Sequence, residues 1–133
     1  MYKRQLFDNV KDSLLRVQNR TDSGSGHGWA GAQQLLYNSE LDEFVLQTPP
    51  FAMNWAVGVV GTKITGNFSP LEADGIIENT GDPILPRSLY LQQLEERAGL
   101  AAVEAITIPA QRRGTIWTQL SDWAGAGKFN PDN

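Results

Sequence analysis

The sequence predicts a mainly β fold of short stacked strands followed by a short helical tail, and three observations carry that prediction. Short apolar runs alternate with turn signals as far as Pro70. The runs recur at spacings of 20 and 29 residues. From Ser88 onward the apolar residues switch to helical spacing.

Leu6 to Val10 is the first run, and Leu14 to Gln18 the second. In the second, Leu15 and Val17 alternate with Arg16 and Gln18, the period of two that buries one face of a strand. Gln34 to Asn38, Phe44 to Thr48 and Trp55 to Val60 follow, each of ordinary strand length. Phe44-Val45-Leu46 and Val57-Gly58-Val59-Val60 are apolar nearly throughout, as in parallel strands covered on both faces. Pro49-Pro50 closes a run, because proline cannot donate to a central ladder.

A weak internal repeat links these runs. L-F-D-N-V, L-L-Y-N-S and W-A-V-G-V each open a strand that leads into a second strand or turn. Leu35 and Trp55 lie 20 residues apart, Leu6 and Leu35 lie 29 apart, and a glycine-rich loop between the latter two accounts for the excess. Short periods of strand and corner suit the stacked coils of a parallel β-helix. A small antiparallel sandwich with irregular loops fits the same spacing.

The tail begins after Pro83 and Pro86, with Ser88 as the expected N-cap. Leu91, Leu94 and Ala98 repeat at helical spacing, Leu89 and Tyr90 widen the apolar side, and Gly99 supplies a stop. Leu100 to Ile106 predicts a second short helix, and Ile116, Trp117, Leu120, Trp123 and Ala124 a third. These stripes are read as packing surfaces that cover the end of the sheet, since an uncapped strand edge invites aggregation. The organisation expected is therefore β coils over 6–70, then a linker and C-terminal helices over 71–133.

Residues 1–5, M-Y-K-R-Q, match the translation of a transposase end sequence used in making sequencing libraries. On that reading Lys3 and Arg4 are not native and the net charge moves from −4 to −6. The chain is then expected to be the C-terminal piece of a longer protein. The acidic balance and the lack of a Lys/Arg cluster argue against nucleic acid or an anionic membrane as partner. No apolar run approaches the roughly 20 residues that span a bilayer. With no cysteine, disulfides and thiolate metal sites are excluded.

Three segments together carry a family resemblance. V-Q-N-R-T-D-S-G-S-G-H-G-W-A-G-A-Q, Q-T-P-P-F-A-M-N-W-A-V-G and P-R-S-L-Y-L-Q-Q-L-E-E-R-A-G, in that order, resemble the C-terminal part of bacterial right-handed parallel β-helix proteins of the pectin-lyase-like superfamily. The likeness covers most of Leu6 to Gly127. One departure is Tyr37-Asn38-Ser39, which stands where the resemblance leads one to expect a cysteine. The resemblance implies C-terminal coils of such a helix, with the helical tail packing on or capping them. It also implies a parent protein that is secreted or periplasmic and acts on a polysaccharide as a lyase or glycoside hydrolase. Upstream coils of the same parent are the implied packing partner. No cofactor is expected for the chain, and calcium stays open for the parent. A shared fold does not name one activity.

The chemistry expected is concentrated between residues 19 and 32, where Gly24, Gly26, Gly28 and Gly31 free the backbone for tight turns. Gly26-x-Gly28-x-x-Gly31 formally fits the dinucleotide fingerprint, but Ala32 to Asn38 is too short for the helix that motif requires. His27, flanked by glycines, could accept a proton, and Trp29 could stack on a sugar ring. The structural alternative is a histidine that braces the loop over a packed tryptophan. Arg20 and Asp22 are the sharper pair. In β-helix lyases as a class, a basic residue abstracts a proton beside a uronate carboxylate and a cation neutralises that carboxylate. In β-helix hydrolases paired carboxylates serve as acid and base. Asp22 has no acidic neighbour in the loop, and Asp42-Glu43 is expected at a turn. The bland alternative is an Arg20–Asp22 surface salt bridge.

The expected catalytic set is therefore Arg20, Asp22 and His27, with Asn19 and Trp29 as substrate contacts and no metal ligands. Three functions remain open. The chain is part of a polysaccharide-degrading enzyme and inactive alone, or a non-catalytic carbohydrate-binding or adhesin-type β-helix, or a small independent interaction domain.

Overall fold

A computed structural model describes residues 4–25 and 28–113. The third predicted helix, Ile116 to Ala124, lies outside the described residues. The chain divides into two compact units, Met1–Tyr90 and Leu91–Asn133.

The first unit is built from parallel strands in two sheets. β1 (Leu6–Asp8), β3 (Leu35–Tyr37), β5 (Trp55–Val57) and β7 (Ile76–Glu78) form one sheet in that order. β2 (Lys11–Val17), β4 (Glu40–Leu46) and β6 (Val60–Lys63) form the other. The chain therefore alternates between sheets, and each visit pairs with the strand laid down one circuit earlier. Leu6 pairs with Leu35, Leu35 with Trp55, and Trp55 with Ile76. The first two pairings reproduce the spacings of 29 and 20 residues in the sequence repeat, and the third adds one of 21. Because every ladder is parallel, the antiparallel alternative does not hold.

β7 lies past Pro70, in the stretch expected to be a linker. The run Trp55 to Val60 is split into β5 and β6, because Gly58 at φ 67° turns the chain between them. Asp42 and Glu43 fall inside β4 rather than at a turn, beside a register shift against β6. Both are exposed, so the charges stay in water while Phe44, Val45 and Leu46 are buried.

The interior is made of stacked side chains. Val17, Leu36, Leu41, Phe44, Leu46, Ala56 and Val59 form the buried cluster, with Phe7, Leu15 and Ile77 packed on it. Phe7, Leu36, Ala56 and Ile77 occupy the same register position in successive strands, so one column of apolar groups runs through the sheet. Burying such side chains contributes about 1.5–3 kcal/mol each.

The corners are polar and equally regular. Asn9, Asn38, Gly58 and Asn79 each follow a strand of the first sheet by one residue, at φ 55°, 44°, 67° and 51°. Asparagine and glycine are the residues that tolerate this left-handed conformation best. Before the strands of the same sheet, Gln34 Nε2 donates to Gln5 Oε1 (2.6 Å) and Asn54 Oδ1 accepts from Gln34 N (2.9 Å). After the strands of the second sheet, Gln47 Oε1 accepts from Asn19 N (2.9 Å) and Gln18 Nε2 donates to Asn67 Oδ1 (3.0 Å). Asn54 and Gln47 thereby supply acceptors to backbone N–H groups at the bends, while Gln18 and Gln34 bond to other side chains and keep a buried Oε1 without a partner. Ser39, at the site of the expected cysteine, is buried, and its hydroxyl accepts from Val10 N (3.2 Å).

The segment Ile84–Ser88 runs back across the asparagine corners. Asn38 Oδ1 accepts from Ile84 N (2.8 Å), and its Nδ2 donates to Ile84 O (2.8 Å) and Arg87 O (2.9 Å). Asn9 Nδ2 also donates to Arg87 O (2.9 Å). Asp8 Oδ2 accepts from Ser88 Oγ (2.7 Å) and from Tyr90 N (2.8 Å), satisfying an orphan donor at the start of α1 (Leu89–Ala98) from 82 residues away.

Tyr37 is buried in this clasp and donates to Pro86 O (2.6 Å). Burial first, and the Asp8 carboxylate second, push its phenol above the ordinary tyrosine value of 10.0. The folded state therefore holds the phenolic proton more tightly than the unfolded chain does. Stability from this group is complete below about pH 10 and falls as pH rises toward the folded value. Denaturant unfolding across that range should show the fall in the wild type and a shallower one in Tyr37→Phe.

The first two helices of the tail fall where the spacing placed them, whereas α1 buries none of its expected apolar stripe and a further short helix appears before the expected third. α1 ends at Gly99, whose φ is 82°, and α2 (Leu100–Ile106) follows at once. α1 carries no buried side chain, whereas Val103 of α2 is buried. α3 (Pro109–Arg113) opens with proline at its first position, and Gln111 Oε1 accepts from Ile108 N (2.9 Å), half of a capping box.

Candidate functional site

The 19–32 loop is a folded excursion between β2 and β3. Ala30 N donates to Gln18 O (3.0 Å), Arg20 N to Gly28 O (2.9 Å) and Gly28 N to Thr21 O (2.7 Å). Asn19 and Trp29 face each other in an antiparallel bridge. Asn19 Oδ1 accepts from Thr21 N (2.9 Å), the local bond that turns asparagine-led loops. Gly28 and Gly31 lead into strand β3 and not into a helix, so the fingerprint geometry for a dinucleotide is not formed.

The structure joins some of the expected site residues and separates others. Asn19 is half-buried and reaches out of the loop, its Nδ2 donating to Glu72 Oε1 (2.9 Å). Trp29 is half-buried opposite it. Arg20 is half-buried, and its Nε is a buried donor without a partner. Asp22 is exposed and accepts from Thr21 Oγ1 (3.2 Å). Arg20 and Asp22 form no ion pair with each other, so the salt-bridge alternative does not describe this loop. His27 lies outside the described residues.

Glu72 ties the loop to a second feature. It lines an open cleft of about 720 Å³, together with Gln33, Thr48, Phe51, Met53 and Trp55. The cleft follows from the two prolines. Ala52 N donates to Pro49 O (3.3 Å), closing a turn in which Pro50 presets one residue and Phe51 takes the next at φ 59°. Type II turns reserve that position for glycine, and a left-handed conformation costs other residues roughly 1–2 kcal/mol. Phe51 is nonetheless an aromatic residue, and its side chain is wholly exposed. Strain of this kind gathers at ligand-contacting sites.

The cleft floor is well braced. Gln33 N donates to Met53 O (2.8 Å), and Thr48 Oγ1 donates to Met53 Sδ (3.3 Å) and to Asp74 O (3.1 Å). Asp74 in turn pairs with Lys63 (2.5 Å).

No protein-family model, curated protein or solved structure matches the chain. What it can do is therefore read from its own side chains. The cleft offers two aromatic rings, one thioether, and amide, hydroxyl and carboxylate groups for hydrogen bonding. Among the described residues no group of three or more His, Cys, Asp or Glu side chains is placed to hold a metal ion. Also among them, no helix is long and apolar enough to cross a membrane.

Phe51, Trp55, Gln33 and Glu72 are absent from the residues that sequence reasoning selects. Phe51 had a signal, since P-P-F closes a turn without the glycine such a turn prefers. Glu72 had none, because only the fold brings it to Asn19, 53 residues away.

Proposed function

We propose that this chain forms coils of a right-handed parallel β-helix that bind a polysaccharide across the cleft and the adjoining 19–32 loop. The alternation between two parallel sheets, the coil spacing near 20 residues and the repeated asparagine corners support the β-helix reading. Phe51 carries the binding reading. A sugar ring presents weakly positive C–H groups that suit the negative face of an aromatic ring. An exposed phenylalanine held at a conformational cost beside Trp55 offers that face, and Gln33, Thr48 and Glu72 offer partners for hydroxyls. Asn19 and Trp29 extend the surface along the loop.

Turnover of the bound polymer by a lyase or glycosidase is the second reading, and Arg20 favours it. Its buried Nε lacks a partner and its neighbour Asp22 is exposed, a cation and a carboxylate available at one end of the surface. Affinity electrophoresis of the chain through gels containing a panel of plant, algal and microbial polysaccharides tests the main reading. Retardation by at least one polymer is the expected result, and retardation by none rejects it. Assaying the same mixtures for released sugar separates binding from turnover.

A further inference from the structure

The charge of the cleft narrows the ligand. Among the residues that line it, Glu72 brings a carboxylate and none brings a cation. Lys63 is engaged by Asp74, whose main chain bonds Thr48 of the cleft. Asp22 adds an exposed carboxylate in the adjoining loop, and the whole chain carries a formal charge of −4. Arg20 in the same loop is a cation, but it is half-buried and does not line the cleft. Glu72 keeps one oxygen occupied by Asn19 Nδ2, which holds the carboxylate at the cleft wall.

Resting on the polysaccharide reading above, we infer that the cleft selects an uncharged polysaccharide and discriminates against polyuronates. A carboxylate next to a ring-stacking platform accepts hydroxyl hydrogen bonds from a neutral sugar. The same carboxylate repels a uronate at each point where the polymer's own carboxylate approaches, and like charges brought together oppose the wrong partner. Discrimination of this kind weakens with salt, because exposed charges are screened over about 8–10 Å at moderate ionic strength. The inference also shapes the chemistry available to the loop. Elimination requires a carboxylate beside the carbon that loses its proton, and a neutral polymer has none. Any turnover there would then be hydrolysis.

The full chain tests this in gels containing a neutral glucan, xylan or galactan and in matching gels containing polygalacturonate, at low and at high salt. The expected result is binding to a neutral polymer with polygalacturonate about tenfold weaker at low salt, and a gap that narrows as salt is added. Glu72→Gln keeps an acceptor for Asn19 and removes the charge, so it should narrow the gap by raising affinity for polygalacturonate relative to the neutral polymer, and an unchanged ratio of the two would overturn the role given to this carboxylate. Polygalacturonate bound as tightly as the neutral polymers would overturn the inference and leave the polysaccharide reading standing. Binding to neither class overturns both.

Discussion

Replacing Asn38 with alanine should destabilise the β unit by about 3–4 kcal/mol, since the side chain's four hydrogen bonds vanish and alanine must adopt a left-handed conformation. The amide is nearly buried and is used on both sides, accepting from Ile84 N and donating to Ile84 O and Arg87 O. Its removal strands those backbone groups where water reaches them poorly. Asn38→Asp keeps the acceptor for Ile84 N and loses the donors, so its effect should fall between wild type and alanine. Urea denaturation followed by circular dichroism measures both. A loss below about 1 kcal/mol for the alanine variant would mean the clasp contributes little. Gly58→Ala should also be disruptive, because a Cβ there would collide with Asn38 Oδ1 and would sit at a positive φ.

Phe51→Gly should move stability and function in opposite directions. Glycine relieves the left-handed strain, so the midpoint of unfolding should rise by the equivalent of up to about 1 kcal/mol. The exposed ring disappears with the change, and polysaccharide affinity should fall about tenfold or more. Phe51→Ala is the control that separates the two effects, because it removes the ring and keeps the strain. It should bind as poorly as the glycine variant and gain no stability. Unchanged affinity in both variants would remove Phe51 from the binding surface.

Much of the fold was legible in the sequence because its information is local or periodic. The starts of β1, β3 and β5, and their parallel register, follow from Leu6, Leu35 and Trp55 at matching places in the repeat. Both described helices of the expected tail keep their bounds, Leu89–Ala98 and Leu100–Ile106, since helical spacing and Gly99 mark them. β7 was not legible, because three residues bracketed by Asp74-Gly75 and Asn79 show no period. The asparagine column escaped notice for a different reason. Asn9, Asn38 and Asn79 look like separate turn residues until the strands bring them into one line.

The candidate site was legible only in part. The glycines mark the 19–32 excursion, and Asn19 and Trp29 meet across it. Arg20 and Asp22 do not meet, because neighbours in a loop of this twist diverge into different surroundings, one half-buried and one in solvent. The cleft depends on Thr48, Phe51 and Glu72 drawn from two separate stretches, a relation that no motif encodes.

The return of residues 84–88 to the first layer of strands has a consequence for how the stack comes apart. A pile of like units, each touching only its neighbours, ordinarily frays from its ends one layer at a time. Here the last segment of the β unit is tied to Asp8 and Asn9 of the first layer and Asn38 of the second. The chain that leaves the last strand thus runs back along the pile to its first two layers, like a strap over a stack. Fraying of the first layer therefore has to break the strap's hydrogen bonds as well as the ladder beneath it, so the outermost layer is held from two sides.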